Sequence, residues 1–334
     1  MNLYPLDQTS RDRFVLDRRG PRPSPDVWRH QGIIVEDERT ADGRIARGAT
    51  VFLTGRECPW RCVMCDLWQY TIAEDTPRGA IPAQVGAARS ELHAESIPVT
   101  QIKLYNAGSF FDPRAVPESD YESVAARLDG LARVVVESHP ALVGPRVDRF
   151  LEALGCRTAP AMVQLEVAMG LETAHPEALA RLNKRMTVED FALAADRLHR
   201  LGVSLRAFLL LSPPFVAPGD QDDWLLRSID VAFSCGASAV SLIPARSGNG
   251  ALDALGAEGA FRPPRLEDIE RSIELALAVH QDRQRIFVDL WDLERFADCA
   301  HCFDSRRARL HSINLEQRLL LRPSCAACGC GAAS

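Results

Sequence analysis

Long apolar runs and lysine are both scarce in this chain of 334 residues. No stretch approaches the ~20 apolar residues that a bilayer-spanning helix needs, so the sequence predicts neither a membrane span nor a membrane partner. The arginine-rich start has no apolar run of the signal-peptide type, and we therefore expect a cytoplasmic protein. Only two of the 39 basic residues are lysines, and the net charge of −6 argues against a strong, uniform nucleic-acid footprint.

Arginines are instead crowded near the two ends of the chain. They are Arg11, Arg13, Arg18, Arg19 and Arg22 near the start, and Arg306, Arg307, Arg309, Arg318 and Arg322 near the end. Such clusters are compatible with a solvated basic face and with a phosphate-binding surface.

Ten cysteines without an export signal favour metal ligation in a reducing compartment over a disulfide framework. Three of them, Cys58, Cys62 and Cys65, have CxxxCxxC spacing directly after an apolar run that reads as a strand. Three thiolates on one loop can close around one metal cluster. An iron–sulfur cube has four irons, so three cysteines leave one iron open, much as a catalytic zinc site keeps a vacancy for its substrate. We interpret this loop as a catalytic cluster site.

A second group of cysteines lies near the end of the chain and forms a CxxC…CxxC pair. Its members are Cys299, Cys302, Cys325 and Cys328. Two such turns separated by about 20 residues are typical of a structural tetrahedral zinc site. Cys330 or His301 could replace one of the four ligands, and an auxiliary iron–sulfur cluster is the alternative to zinc.

Short apolar runs alternate with longer segments of helical periodicity through the middle of the chain. The predicted strands are 49–54, 101–105, 132–137, 163–170, 204–211 and 238–243, and the predicted helices are 82–95, 119–130, 145–155, 187–201, 221–235 and 266–281. Such a series predicts a parallel sheet, either doubly wound or closed toward a barrel, with functional residues beyond the carboxyl ends of the strands. We divide the chain into an irregular arm (1–45), a strand–helix domain (46–290) and a cysteine-rich, zinc-ribbon-like extension (291–334).

The three-cysteine loop after the first strand of this series resembles the signature of radical S-adenosylmethionine (SAM) enzymes. The resemblance implies an α/β fold, a partial TIM barrel of six strand–helix units. It also implies that Cys58, Cys62 and Cys65 hold a 4Fe–4S cluster whose open iron is chelated by SAM. Reductive cleavage of SAM would then give a radical that abstracts hydrogen from the substrate. The electron would come from a reductant protein such as flavodoxin or ferredoxin.

The same resemblance implies a set of SAM contacts on the loops and strands that follow the cysteines. They are Met64, Asn106, Gly108, Ser109, Glu137, Glu172 and Arg206. Met64 precedes the last cysteine, where the family usually has an aromatic residue near the adenine. Glu172 and Arg206 are charged residues on buried strands, so they either bind the zwitterionic cofactor or pair with each other. No catalytic residue is assigned beyond the cluster.

Several phrases resemble the group that contains the Elongator catalytic subunit and the radical subunit of archaeosine synthase. They are 65–68 (CDLW), 103–112 (KLYNAGSFFD), 170–173 (GLET) and 182–185 (LNKR). This resemblance implies a tRNA substrate, a 7-deazaguanine bearing a lysine adduct whose radical cleavage leaves an amidine. The alternatives are a radical SAM enzyme acting on a peptide or small metabolite, and a non-catalytic iron–sulfur protein for electron transfer or sensing. The sequence gives no oligomeric state.

Overall fold

The structure, a computed structural model, describes residues 4–155, 163–280 and 285–330. Within these ranges the strands are β1 (Gly32–Arg39), β2 (Ile45–Leu53), β3 (Gly55–Arg56), β4 (Thr71–Ile72), β5 (Gln101–Asn106), β6 (Arg133–Glu137), β7 (Gln164–Glu172), β8 (Ser204–Leu211), β9 (Ala237–Pro244) and β10 (Arg285–Val288). The α-helices are α1 (Gln8–Leu16), α2 (Ala80–Ala94), α3 (Tyr121–Arg127), α4 (Pro145–Gly155), α5 (Pro176–Arg181), α6 (Val188–Arg200), α7 (Gln221–Ser234), α8 (Ala251–Ala257), α9 (Leu266–His280) and α10 (Phe303–Glu316).

Eight of the strands form one sheet in the order β1-β2-β5-β6-β7-β8-β9-β10. All neighbours are parallel except β1, which runs antiparallel to β2 along the edge. The six predicted strands correspond to β2 and to β5 through β9, so the predicted six-fold strand–helix series is confirmed. The sheet gains β1 at one edge and β10 at the other, neither of which was predicted.

The sheet curls strongly, as contacts between distant strands show. Glu38 on β1 forms an ion pair of 2.7 Å with Arg206 on β8, five strand positions away. In a flat sheet those strands would lie about 24 Å apart at the usual spacing between neighbours. At the same end, the Arg285 guanidinium on β10 donates to the Arg39 carbonyl on β1. The sheet is therefore a partial barrel whose two edges approach each other, as predicted.

Helices cover the outer face of the sheet because their apolar residues recur at helical spacing. In α2, Ile81, Val85, Ala88 and Leu92 are buried in the same core cluster as the strand residues. Local capping defines the ends: at α6 a capping box joins the Thr187 side chain and the Asp190 side chain to each other's backbone. The six predicted helices are present to within a few residues, apart from position 281, which lies outside the described residues.

The segment 1–45 differs from the prediction of an irregular arm. Its described part, residues 4–45, contains α1 and β1, and the turn after α1 packs on the carboxyl end of the barrel. At Gly250, before α8, a Cβ atom would overlap the carbonyl carbon of Arg18 at 2.8 Å, so only glycine permits this close approach. The prediction failed because β1 directs charged residues inward, a pattern that does not read as a half-buried strand.

The C-terminal extension is joined to the barrel by α10. Leu310 and Ile313 of this helix belong to the main hydrophobic core. Within the described residues, none of the helices combines the length and the apolarity that crossing a bilayer requires.

Candidate metal and cofactor centre

The cysteine loop lies at the carboxyl ends of the parallel strands, directly after β2 and the short strand β3. Cys58, Cys62 and Cys65 are free, half-buried thiols. This is the edge at which barrel and doubly wound proteins place their functional residues. The sequence prediction of the loop's position in the fold is therefore confirmed.

Other loops of the same edge fix the backbone of the cysteine loop. The amide of Val63 donates to the Leu182 carbonyl at 3.0 Å. The side-chain amide of Asn183 donates to the Arg61 carbonyl, and that of Asn249 donates to the Val63 carbonyl, both at 2.8 Å. These asparagines follow β7 and β9, and sequence reasoning did not identify them. The loop is thus held by contacts from across the barrel mouth.

The three thiols are electrostatically unusual. Burial raises the pKa of Cys58, and it raises that of Cys62 to about 12 despite the nearby Lys184 ammonium. Burial, reinforced by the other two thiols, raises the pKa of Cys65 well above its ordinary value. Thiolates at neutral pH therefore require strong cationic compensation here, which a bound metal cluster would supply.

Lys184 is the cation whose charge acts most strongly on the Cys62 thiol, and sequence reasoning missed it as a site residue. Its ammonium forms a buried ion pair with the Glu172 carboxylate. Burial opposes its charge, but Glu172 and then the Cys62 thiol raise the pKa of Lys184 above its ordinary value. Lys184 is therefore a fixed positive charge between a carboxylate and the cysteines.

The end of β7 is shaped to place this ion pair. Its register shifts between Gly170 and Glu172, and Glu172 has a φ of 66°. A Cβ atom on Gly170 would lie 2.9 Å from the carboxyl carbon of Glu172 and would overlap the Lys184 nitrogen. Glycine at position 170 therefore leaves the space in which the pair forms. Glu172 binds Lys184 rather than Arg206, so the alternative in which Glu172 and Arg206 pair with each other is wrong.

The last residue of β5 and the loop after it carry three of the predicted cofactor contacts. The side-chain amide of Asn106 is buried, and neither its nitrogen nor its oxygen has a hydrogen-bond partner among the described residues. A Cβ on Gly108 would lie 2.7 Å from the Arg56 carbonyl oxygen, so glycine lets this loop contact the start of the cysteine loop. The Ser109 hydroxyl lies 3.1 Å from the backbone nitrogen of His139, whose N–H donates to it. Ser109 is thus used structurally, whereas Asn106 offers an unsatisfied donor and acceptor.

Glu137, predicted to contact the SAM ribose, ends β6 on the same side. Burial raises the pKa of its carboxyl group to about 8, against the opposing effects of Lys184 and of a hydrogen bond from the Asn106 backbone. The side chain keeps some solvent access. Glu137, Asn106, Glu172 and Lys184 therefore lie together beside the cysteines, and the cofactor role of Glu137 remains a prediction.

Trp60 and His139 form an unpredicted stacked pair at the cysteine loop. Their ring centroids are 3.7 Å apart with an interplanar angle of 10°. Burial and the Lys184 charge lower the pKa of His139 to about 3, so the imidazole is neutral. Its Nδ1 accepts from the Ala141 amide at 3.1 Å, so Nε2 carries the hydrogen and donates to the Lys184 carbonyl at 3.0 Å. The pair supports Lys184 and the loop from one side.

Arg206 lies elsewhere, and its predicted contact with the cofactor is corrected by the structure. It is the third residue of β8, near the amino ends of the strands, opposite to the cysteine edge. Its buried guanidinium binds Glu166 at 2.6 Å and Glu38 at 2.7 Å. Lys103 and Arg133 also bind Glu38, at 2.8 Å and 2.6 Å. These five residues form an ionic layer across the floor of the barrel, and it satisfies Arg206 without a ligand.

Met64 occupies an apolar environment at the edge of the site. It is half-buried against a second hydrophobic cluster that includes Val63, Leu210, Phe14 and Tyr4. This placement suits an apolar contact with a ligand's ring system. Residues of α1 and its flanking segment thus form part of the wall around the cysteine loop.

The arginine clusters largely serve ion pairs within the protein. Arg19 at 2.7 Å, and Arg22, bind the carboxylate of Glu57, the residue before Cys58. In the C-terminal cluster, the buried guanidiniums of Arg306 and Arg309 bind Glu270 on α9 at 2.7 and 3.3 Å. These four arginines therefore form neither a solvated face nor a free phosphate site.

The C-terminal cysteines converge as predicted. The sulfur atoms of Cys299, Cys302, Cys325 and Cys328 all lie within 4.8 Å of one another, an arrangement that could hold a metal ion. Cys302 lies 3.8 Å from Cys328 and 3.6 Å from Cys330, so a fifth thiol adjoins the group. His301 is exposed and does not belong to the group.

Both predicted centres fit their groups on chemical grounds. Three soft thiols with raised pKa values, beside a fixed ammonium, are suitable ligands for an iron–sulfur cluster. The unsatisfied Asn106 amide and the partly exposed Glu137 carboxyl group are suitable partners for a polar cofactor such as SAM. The four converging C-terminal thiols suit a single ion.

Comparison with known proteins gives archaeosine synthase beta subunits as relatives. The one from Methanosarcina acetivorans is 28% identical over 243 residues, which cover 70% of this chain and 68% of the relative. The one from Thermococcus kodakarensis is 29% identical over 163 residues, 48% of each chain. No protein-family model matches the chain.

Among solved structures, the archaeal Elp3 of Methanocaldococcus infernus with an N-terminal deletion (1–46) has a similar fold. The TM-score is 0.53 at 14% identity, with 80% of this chain and 63% of the Elp3 chain covered. This likeness shows the fold alone. The chain thus spans between about half and two thirds of the length of these proteins.

Proposed function

We propose that the chain is a radical SAM enzyme of the group that contains the Elongator catalytic subunit, and that it modifies a base of tRNA. One observation carries the proposal: a three-cysteine loop is locked at the barrel mouth beside a buried amide, at Asn106, that has no hydrogen-bond partner among the described residues. The kinship with archaeosine synthase beta subunits supports tRNA as the substrate class. We propose the cleavage of a lysine adduct on a 7-deazaguanine as the specific reaction.

In this proposal Cys58, Cys62 and Cys65 hold a 4Fe–4S cluster, and Met64, Asn106, Gly108 and Glu137 contact SAM. When bound, the cluster and SAM supply a radical that abstracts hydrogen from the substrate. The protein's part is to position and shield. Lys184 lies as a fixed positive charge next to the thiolates, and the Asn183 and Asn249 amides hold the loop that carries them. Buried apolar walls around the loop exclude water.

Anaerobic reconstitution with iron, sulfide and SAM tests the catalytic part of the proposal. With a reductant, the wild-type protein is expected to form 5′-deoxyadenosine above an enzyme-free control. Cys62→Ala should abolish this product because the cluster loses a ligand. Cys235→Ala is the matched control, since Cys235 is a half-buried thiol outside both cysteine groups. A protein with an intact cluster that forms no 5′-deoxyadenosine would instead be an electron-transfer or sensing protein.

Binding measurements test the substrate class separately. We expect unfractionated archaeal tRNA to bind the reconstituted protein at low salt, with an affinity that falls as the salt concentration rises. It should also increase the yield of 5′-deoxyadenosine more than a peptide digest or a metabolite extract does. If tRNA does not change the yield of 5′-deoxyadenosine but the peptide digest or the metabolite extract increases it, the substrate is a peptide or a small metabolite instead.

We further propose that the C-terminal thiols hold one structural zinc ion. Zn–S bonds of about 2.3 Å in a tetrahedron put the sulfur atoms about 3.8 Å apart. The Cys302 sulfur lies 3.8 and 3.6 Å from those of Cys328 and Cys330. Sulfurs bound to different irons of one cluster stand farther apart, so the spacing supports a single ion over an auxiliary cluster.

Metal analysis of a variant without the first centre isolates the tail. With Cys58, Cys62 and Cys65 all replaced by alanine, we expect about one zinc per chain and no iron. Adding Cys328→Ala together with Cys330→Ala, which leaves only three thiols in the group, should remove the zinc and lower the melting temperature, because the ion joins two otherwise weakly packed turns. Stoichiometric iron retained in the triple variant would contradict the zinc assignment.

A further inference from the structure

A layer of aromatic rings lies inside the barrel, directly above the ionic layer. Tyr105 is two residues beyond Lys103 on β5, and Phe208 is two beyond Arg206 on β8, so each points to the same inner face. Their rings meet edge to face with centroids 6.0 Å apart. Phe52 on β2 faces inward too, because its neighbours belong to the outer core. These rings are only partly buried.

Trp291 completes this layer from the loop after β10. Its ring centroid is 5.1 Å from that of Phe52, with an interplanar angle of 31°, and the residue is 45% exposed. Phe52 thus supports part of the indole, and the Arg246 guanidinium carbon lies 5.8 Å from the ring centroid, while the remaining ring surface is open to solvent. A large aromatic residue that is packed on one side and open on the other presents a free ring surface.

Polar contacts hold the Trp291 backbone in place. Its amide donates to the Asp289 carboxylate at 3.1 Å, and its carbonyl accepts from the Arg246 guanidinium at 2.7 Å. Arg246 also binds Asp289 at 2.6 Å. The indole is therefore preorganised, and the neighbouring arginine is already neutralised by a carboxylate. This place offers a ring surface rather than a free charge.

The loop after β9, which carries Arg246, connects Trp291 to the cysteine loop. Arg246 precedes Asn249 by three residues, a span of at most about 11 Å. The Asn249 amide lies 2.8 Å from the Val63 carbonyl and 3.4 Å from that of Cys65. The open indole thus stands at the mouth of the barrel, close to the proposed cluster.

We propose that Trp291, supported by Phe52, is the stacking platform for a nucleobase turned out of its RNA stack and directed into the barrel. The inference rests on the proposed tRNA function and specifies how the base is held. Base edges vary, but every base has a flat ring face, and exposed aromatic side chains bind unstacked bases through it. An enzyme that acts on a base must take it out of the stack to reach the reacting atom.

Tryptophan fluorescence tests this platform on the reconstituted full-length protein with saturating SAM present throughout. The probe is unfractionated archaeal tRNA. Wild type and Trp224→Phe, which alters a tryptophan on the outer helix α7, should both lose fluorescence on binding. Trp291→Phe should bind within about threefold of wild type but lose most of the quench, because the base then stacks on a phenyl ring.

Affinity and its salt dependence provide the second measurement. Trp291→Ala should bind tRNA roughly 5- to 100-fold more weakly, the loss expected when one base–aromatic stack is removed. The slope of log K against log salt should be unchanged, because no phosphate contact is lost. Melting temperatures of both Trp291 variants within a few degrees of wild type would show that the barrel remains folded.

Different results separate the failure of this inference from that of the proposed function. If wild type binds no tRNA, the proposed function falls and this inference with it. If wild type binds tRNA but Trp291→Phe is quenched as strongly as Trp224→Phe, only the platform is overturned. It is equally overturned if Trp291→Ala binds as tightly as wild type, or if the same quench appears with SAM and no tRNA.

Discussion

Replacing Gly170 by alanine tests whether the ion pair beside the cysteines shapes the end of β7. The new Cβ would occupy the space of the Glu172 carboxylate and the Lys184 ammonium. Both groups are ends of flexible side chains, but both residues are buried, at 8% exposure each. They can move apart only by losing part of their pairing in a poorly solvated place.

The expected cost follows from the price of separating buried charges. Deleting one partner of a buried pair typically destabilises by about 3–5 kcal/mol. Gly170→Ala keeps both charges, so we expect a smaller loss of about 2–4 kcal/mol in the free energy of unfolding. The assay is anaerobic urea denaturation of the metal-free protein. Gly219→Ala is the matched control, since an added Cβ there meets no atom within 4 Å.

A double-mutant comparison shows whether the cost acts through the pair. In a background with Glu172→Gln and Lys184→Met there is no ion pair to break, so the added alanine should cost less by roughly 1–2 kcal/mol. If Gly170→Ala is as stable as Gly219→Ala to within ~0.5 kcal/mol, the glycine is not required for the pair. An equal cost in both backgrounds would attribute the effect to the strand backbone instead.

Three further outcomes follow from the site and the floor of the barrel. Glu137 has a pKa raised from 4.5 to about 8, so it stabilises the metal-free fold fully below pH ~4.5 and progressively less as the pH rises to ~8. Between pH ~4.5 and ~8, the free energy of unfolding of wild type should fall by about 2 kcal/mol relative to that of Glu137→Gln. This is roughly half of what the full pKa shift would give for a completely buried group, because the side chain is partly solvated. A difference between the two proteins that does not change with pH would contradict the assignment. Arg206→Met should lower the free energy of unfolding by about 3–5 kcal/mol, because the two glutamates that bind Arg206 stay charged. The affinity of the folded protein for SAM should not change. Weaker SAM binding at unchanged stability would restore Arg206 as a cofactor contact. Gly108→Ala should lower the free energy of unfolding by about 1–3 kcal/mol and reduce iron incorporation, because the Arg56 carbonyl cannot rotate away as a side chain could. Normal iron content would show that the two loops can move apart without loss of the site.

The strand–helix series and the cysteine loop were predictable because their signals are local. Apolar strands such as 204–211 and periodic helices such as 187–201 appear within a window of a dozen residues. The CxxxCxxC and CxxC patterns are shorter still. The contacts of side chains that point into the barrel were not predictable, because they depend on which residues of distant strands lie at the same height in the barrel. The predicted strand 204–211 puts Arg206 near its amino end, away from the cysteines, but only the structure shows that Glu38 and Glu166 bind its guanidinium there.

Long-range polar pairs account for most of the rest. The strand β1 was not predicted because Glu38 faces the barrel interior, whereas the residues that a strand directs inward are usually apolar. Its three cationic partners are 65 to 168 positions away in sequence, too far for any pattern to link them. Lys184 was likewise visible as a residue but not as the neighbour of Cys62. The same holds for Arg306, whose partner Glu270 lies 36 residues earlier.

The asparagine that holds the cysteine loop also sets an order of events during synthesis. Asn249 is 184 positions after Cys65. At about 5–20 residues per second, roughly 10–40 s pass between the two leaving the ribosome's catalytic centre. Until then the loop that carries the thiols lacks the hydrogen bond from Asn249. The helix α1, although synthesised first, does not yet have α8 to pack against. The metal-binding loop therefore reaches its final form late, after nearly all of the barrel has been made, and cluster insertion into that form belongs to the same late stage.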